Sequence, residues 1–152
     1  CVDYKLIALV QRVKSCTVSS QNQPTSHIGQ GILALIGIES EDSVEDIKYI
    51  THKIIKLRIF SDNHGRMNFS VEDVGGSVMI VSQFTLCGDL KKGNRPSYIN
   101  AMDADLAKKV YDSFIDYIKG CYSKIKSGTF QADMNINLIN DGPVTLIIRS
   151  RD

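Results

Sequence analysis

The stretch INDGPVTLII, Ile139 to Ile148, sets a Gly-Pro dipeptide between two runs that each read as buried strand. Proline has no N–H to give to a β-ladder, so within sheets it is confined to edges, first positions and bulges. Two readings follow. Asn140, Asp141, Gly142 and Pro143 are all turn formers, so NDGPVT can be a tight turn between adjacent strands. Alternatively, the segment has a role beyond a turn. On either reading DMNINLI before it and VTLIIRS after it are strands that close the chain.

The rest of the chain supplies the partners such strands need. LIALVQRV and CTVSS suggest a strand, and GILALIGI, Gly31 to Ile38, is a nearly continuous apolar run typical of a strand buried on both faces. The turn-rich SSQNQPTSHIGQG between them is expected to be a loop or hairpin. LRIF reads as a short strand, SDNHGRMN as a turn with Gly65 at the tight position, and VEDVGG as a short turn. SVMIVSQFTL, Ser77 to Leu86, and SKIKSGTF are the remaining strands.

Two helices interrupt them. Asp42 and Ser43 are good N-cap types, Glu45 and Asp46 place negative charge in a first turn, and Ile47, Ile50, Ile54 and Leu57 recur at helical spacing. A second helix is expected from about Asp103 to Lys119, with Leu106, Val110, Phe114, Tyr117 and Ile118 as its apolar face. The 152 residues, 43% of them hydrophobic, are expected to form one domain spanning residues 1–152. Its class is α+β: a mixed, curved sheet or open barrel with two packed helices.

Composition removes several function classes. A net charge of +1 argues against indiscriminate coating of nucleic acid and leaves room for a local basic patch. No apolar stretch approaches the roughly 20 residues that span a bilayer, and CVDYKLIALVQRVK has no small-residue cleavage site after a hydrophobic block. The expectation is a soluble, cytoplasmic protein with no membrane partner. Cys1, Cys16, Cys87 and Cys121 are widely spaced, and His27, His52 and His64 add no ligand spacing, so reduced structural thiols and no metal are expected. G-x-G-x-x-G, Walker and G-x-S-x-G motifs are absent, so no cofactor is expected.

One further segment resists a purely structural reading. In VSQFTL an apolar strand ends in Ser82, Gln83, Phe84 and Thr85, gathering hydroxyl, amide and ring ahead of the basic loop CGDLKKGNRPSYINA. A half-exposed strand of alternating polarity explains the same pattern.

Taken in order, QRV, GILALIGI, LRIF, GRMN, GGSVMIVSQFTL, KKGNRPSY and ADMNINLINDGPVT resemble the D-aminoacyl-tRNA deacylase family, also called D-tyrosyl-tRNA deacylase. The likeness runs from about Leu6 to Ile148, with the two signatures SQFTL (Ser82 to Leu86) and N-x-G-P-V-T (Asn140 to Thr145) intact. The resemblance implies a deacylase-like fold, no cofactor, and a homodimer that hydrolyses the ester joining a D-amino acid, or glycine, to the terminal ribose of tRNA. It implies that Gly142-Pro143 is cis and enters the partner's pocket, that Arg12 braces it, and that Asn140 belongs to the same substrate-binding signature. Met134 is a candidate for holding the dipeptide, and Ala101 and Phe130 for the pocket wall. X-Pro is the one bond for which cis is inexpensive, about 0.5–1 kcal/mol above trans, and a fixed main-chain wall rejects one mirror image by clash. Glycine, with no side chain, passes the same wall.

For the reaction, two versions stand. Thr85 can be a nucleophile, but no neighbouring base is visible in the sequence. Alternatively the backbone N–H groups of Phe84 and Thr85 form an oxyanion site, and the substrate's own 2′-hydroxyl helps to position or activate water, as the family's RNA-assisted mechanism implies. Gln83 and Ser82 are then expected to shape the pocket around adenine, with Phe84 packed beneath the base. Lys91, Lys92 and Arg95 suit the phosphates of an acceptor stem. The rival classes are a non-catalytic nucleic-acid-binding dimer and a hydrolase of small D-amino acid esters with no RNA partner.

Overall fold

The computed structural model describes residues 5–39 and 44–150. Strand β1 (Lys5–Ser20) is antiparallel to β3 (Gly31–Glu39) along one edge, and β2 (Ser26–Ile28) continues that edge beside Cys16–Val18. Strands β6 (Ser77–Ser82) and β7 (Ile125–Ser127) add in parallel beyond β3. On the other edge of β1 lies β8 (Met134–Arg149), antiparallel and 16 residues long. The sheet is therefore mixed. It curls until β2 meets β7, where the Lys126 ammonium donates to the His27 carbonyl (2.8 Å) and Ser26 Oγ donates to the Ser127 carbonyl (3.4 Å). The result is the nearly closed, barrel-like sheet expected.

Both faces of GILALIGI are covered, which accounts for its lack of alternation. Ile32, Ala34, Ile36 and Ile38 join the cluster beneath the helices, while Leu33 joins Val13, Cys16, Val18, Met79 and Val81 inside the curl. Helix α1 (Val44–Lys56) buries Ile47, Ile50 and Ile54 as its spacing requires; Leu57 lies one residue beyond it. The N-cap residues Asp42 and Ser43 fall outside the described residues. Helix α2 (Ala104–Cys121) is capped by Asp103, whose side chain accepts from the Asp105 N–H. Its expected face is corrected. Leu106 is 52% exposed and Tyr117 is 37% exposed, while Ala107, Tyr111 and Ile115 are buried with Val110, Phe114 and Ile118. At roughly 100° per residue the buried arc centres on Ala107, Phe114 and Ile118, which leaves Leu106 and Tyr117 at its margin.

Two strand expectations also change. The run from Ser77 to Leu86 is strand only to Ser82; β3 pairing ends at Ile36↔Ser82, and the chain then coils into a 3₁₀ turn, Phe84–Cys87. LRIF contributes only Phe60 to strand β4 (Phe60–Ser61), which pairs with β5 (Met67–Phe69) around Gly65. No helix among the described residues is long and apolar enough to cross a membrane.

Candidate active site

The proline of INDGPVT is accommodated by a bulge, not by a turn between separate strands. In the β1–β8 ladder Gln11 faces Thr145 and Val13 faces Asn140, so the single Arg12 opposes four residues, Asp141, Gly142, Pro143 and Val144. The surplus residues leave the ladder, and with them the missing proline N–H. Gly142-Pro143 is cis. The signature residues fasten this loop from within. Asn140 Oδ1 accepts the Val144 N–H (2.9 Å), and Asn140 Nδ2 donates to Thr145 Oγ1 (2.9 Å). Gly142 has φ +131°, and a Cβ there would lie 2.9 Å from Val144 Cγ2 and 3.0 Å from Arg12 Nη2, so no other residue fits.

Arg12 is the external brace. Its side chain is 11% exposed, and its Nε donates to the Asp141 carbonyl (3.0 Å) while lying 3.5 Å from the Asp141 carboxylate. Nη1 donates to the Ile59 carbonyl (2.5 Å), tying the loop to the segment entering β4.

A cleft of about 600 Å³ opens elsewhere, between β6, the start of α2 and the approach to β8. Ser82, Gln83, Phe84, Ala101, Phe130 and Met134 of the expected residues line it. Met134 is a wall residue of the cleft and does not hold the dipeptide of its own chain. It stands eight positions before Gly142 on the same strand, roughly 25 Å at the usual rise, and its sulfur seats against Gly128, where a Cβ would meet it at 2.7 Å. Arg12, Asn140, Gly142 and Pro143 are not among the lining residues, so one chain does not bring the dipeptide to its own cleft. Sequence reasoning missed Met102, Ala104, Ala107 and Asp133, which also line it. The small-residue run AMDADLA was the available signal for the first three; nothing local marked Asp133.

The 3₁₀ turn forms one wall. Gln83 N–H donates to the Ile36 carbonyl (2.7 Å), continuing the β3 ladder by one bond. The turn's own bonds run from Leu86 N–H to the Gln83 carbonyl (3.2 Å) and from Gly88 N–H to the Thr85 carbonyl (3.0 Å). The N–H groups of Phe84 and Thr85, first in the turn, have no acceptor among the described residues. Phe84 is 57% exposed, lines the cleft and meets the Tyr98 ring edge-on. Thr85 is exposed, lies outside the lining, and its hydroxyl accepts from Gln83 Nε2. Asp133 is the one ionisable side chain among the lining residues; no histidine or lysine joins it to serve as a base for Thr85. Phe130 is backed by the Tyr111 ring at 5.3 Å, and burial pushes that tyrosine's ionisation well above its ordinary range. Burial also raises the Cys16 thiol to about 11 and the Cys87 thiol to about 12, which keeps both neutral.

The segment after the turn forms a small hairpin closed by reciprocal bonds between Asp89 and Ser97 (2.7 and 2.9 Å), with Gly93 at φ +68°. It carries Lys91, Lys92 and Arg95, all exposed and without an ion-pair partner among the described residues.

A family model described as D-Tyr-tRNA(Tyr) deacylase matches residues 9–149, which include both fastened segments. The chain belongs to the D-aminoacyl-tRNA deacylase family. It is accordingly a hydrolase acting on aminoacyl-tRNA. Among curated relatives, a D-aminoacyl-tRNA deacylase of Thermodesulfovibrio yellowstonii is 47% identical over 96% of this chain and 100% of its own length. One from Flavobacterium johnsoniae is 48% identical over 95% of this chain and 97% of its own. The solved structure of a c-Myc DNA unwinding element binding protein superposes with a TM-score of 0.88 at 38% identity, covering 93% of this chain and 97% of that one. A probable eukaryotic D-amino acid tRNA deacylase shares the fold with a TM-score of 0.81 at 18% identity, over 95% of this chain and 99% of that one.

Proposed function

We propose that this chain acts as a cytoplasmic, single-domain homodimer that clears D-aminoacyl-tRNA, and glycyl-tRNA formed on non-cognate tRNA, while sparing L-aminoacyl-tRNA. The observation that carries the reading is the separation within one chain of a fastened main-chain wedge, Gly142-Pro143, from a cleft that lacks one. A second copy supplies each with the other. Among the described residues strand β8 pairs only with β1, which leaves its outer edge open, and Ile139, Leu146 and Ile147 stand exposed along the strand. A long apolar edge of this kind calls for a cover.

In the assembled site the wedge carbonyls bar an L side chain and admit a D side chain or none. The ester carbonyl then faces the free N–H groups of Phe84 and Thr85. These are donors held ready for the charge that develops on its oxygen, and each such donor typically lowers the barrier by about 2.7–4 kcal/mol. The vicinal 2′-hydroxyl of the terminal ribose positions or activates water, so Thr85 needs no activating base. Ser82 and Gln83 border adenine, and Ala101, Phe130 and Met134 wall the cleft. Lys91, Lys92 and Arg95 hold the acceptor-stem phosphates.

The test is hydrolysis of D-Tyr-, L-Tyr- and glycyl-tRNA by the same preparation, with its mass in solution measured alongside. The expected result is a dimer that cleaves the D and glycyl esters only. A monomer with full D-selectivity, or equal cleavage of both mirror images, refutes the reading. Likeness to a c-Myc DNA unwinding element binding protein, at 38% identity, favours a second reading, a DNA-binding protein. That reading requires salt-dependent binding to DNA with no ester hydrolysis in the same assay.

A further inference from the structure

The Phe84–Cys87 turn lies on β3, and the position that makes this contact possible is Gly37. It is buried at the last position but one of GILALIGI, inside β3, where glycine otherwise only weakens a strand. A Cβ on Gly37 would lie 3.0 Å from Leu86 Cβ, 3.2 Å from the Gln83 carbonyl oxygen and 3.3 Å from Cys87 Sγ. Ordinary carbon–carbon contacts sit at about 3.5–4.0 Å, so any side chain here lifts the turn by a few tenths of an ångström.

Tyr98 contacts the turn at its two ends. The Tyr98 ring meets Phe84 edge-on, 5.1 Å between centroids at 61°. It also covers Gly88, where a Cβ would meet Tyr98 Cε1 at 3.0 Å and the Thr85 carbonyl at 3.1 Å. Tyr98 directly follows Ser97, which closes the cationic hairpin.

We propose that Gly37 and Tyr98 form a clamp on the 3₁₀ turn and are positioning residues for the reaction. They set the height at which the Phe84 and Thr85 N–H groups meet the ester carbonyl. This rests on the oxyanion reading above. Neither residue touches the substrate; Gly37 acts by having no side chain, and Tyr98 by its ring.

The test uses the full-length protein and D-Tyr-tRNA, with kcat and KM measured separately and amide hydrogen exchange followed over residues 84–88. For Gly37→Ala, exchange over the turn accelerates, kcat falls about tenfold, and KM stays within about twofold, because a misplacement of 1 Å at a reacting centre already costs on the order of a hundredfold. The preference for D over L persists, since the wedge is untouched. Adding Cys87→Ala relieves the sulfur contact and returns part of the lost kcat. Tyr98→Ala lowers kcat in the same way without adding volume to the core, and Tyr98→Phe, which keeps the ring, recovers most of the loss.

Unchanged exchange and unchanged kcat in both Gly37→Ala and Tyr98→Ala overturn the clamp while leaving the oxyanion reading in place. Faster exchange over the turn with wild-type kcat overturns the oxyanion reading and the proposal together. A KM that rises in parallel with the loss of kcat marks general damage, and also overturns it.

Discussion

Replacing Arg12 by lysine keeps the charge and removes the fork. Arg12 reaches two main-chain carbonyls at once, that of Asp141 through Nε (3.0 Å) and that of Ile59 through Nη1 (2.5 Å). A lysine ammonium is a single point on a flexible stem and can satisfy one of these positions, not both. Hydrogen bonds from a charged donor contribute roughly 1.5–3 kcal/mol each, so Arg12→Lys is expected to cost about 2 kcal/mol. For a domain of this size that lowers Tm by about 4–8 °C. The loss falls on the loop 141–144, the only part of β8 outside the ladder, so it shows up as mobility there. At tenfold per 1.4 kcal/mol, displaced loop conformations become about 30-fold more populated.

If the loop is the stereochemical barrier, leakage of L-Tyr-tRNA rises by up to that factor, while D-Tyr-tRNA, which never meets the barrier, is cleaved within a few-fold of the wild-type rate. The assay is single-turnover deacylation of both mirror images, with Tm read on the same sample. A variant that loses the expected Tm yet keeps the D/L ratio of the wild type refutes the reasoning. Arg12 would then hold the fold and take no part in discrimination.

Thr85→Ala is expected to retain most D-Tyr-tRNA turnover, since the Thr85 hydroxyl is occupied by Gln83 and no base accompanies it; tRNA ending in 2′-deoxyadenosine should not be turned over, and loss of activity in the alanine variant would restore the nucleophile. Changing Lys91, Lys92 and Arg95 together to glutamine should raise KM with kcat nearly constant and flatten the dependence of KM on salt; an unchanged KM removes the hairpin from the tRNA surface. Iodoacetamide at pH 8 should label exposed Cys121 well before buried Cys16 and Cys87, as read by peptide mass spectrometry, because burial raises those two thiols to about 11 and about 12. By the same linkage their contribution to stability is intact below pH 9, the ordinary thiol value, and is lost as pH climbs through 11 to 12; a Tm that is flat across that range contradicts it.

The sheet was legible because its strands carry their environment in their composition: GILALIGI is apolar throughout because both its faces are covered, and α1 shows its buried stripe at every third or fourth residue. What escaped was set by partners distant in sequence. Gln83 and Thr85 alternate with Phe84 and Leu86 as a strand would, and only the end of pairing at Ile36↔Ser82 turns them into a coil. The margin of α2 depended on where the sheet lies beneath it, which placed Leu106 outside and Ala107 inside. Arg12 read as an ordinary strand arginine until resemblance singled it out; its reach to Ile59, 47 positions away, is invisible to any local pattern.

The cleft shows the same limit from the other side, since alanines and aliphatic side chains make up much of its lining and the donors proposed for it are main-chain N–H groups that every residue but proline possesses. Such a site puts its specificity into stiffness. Rejecting an L ester by 10⁴ requires about 5.5 kcal/mol of clash that the wall does not relieve by moving. Four hydrogen bonds hold the loop: two from Arg12, and two that close Asn140 onto Val144 and Thr145. At roughly 1.5–3 kcal/mol for each bond from the charged Arg12 and roughly 0.5–1.5 for each neutral one, they come to about 4–9 kcal/mol together, which spans that scale. The loop is therefore fastened about as firmly as a stereochemical filter demands, and far more firmly than a surface bulge with nothing to exclude.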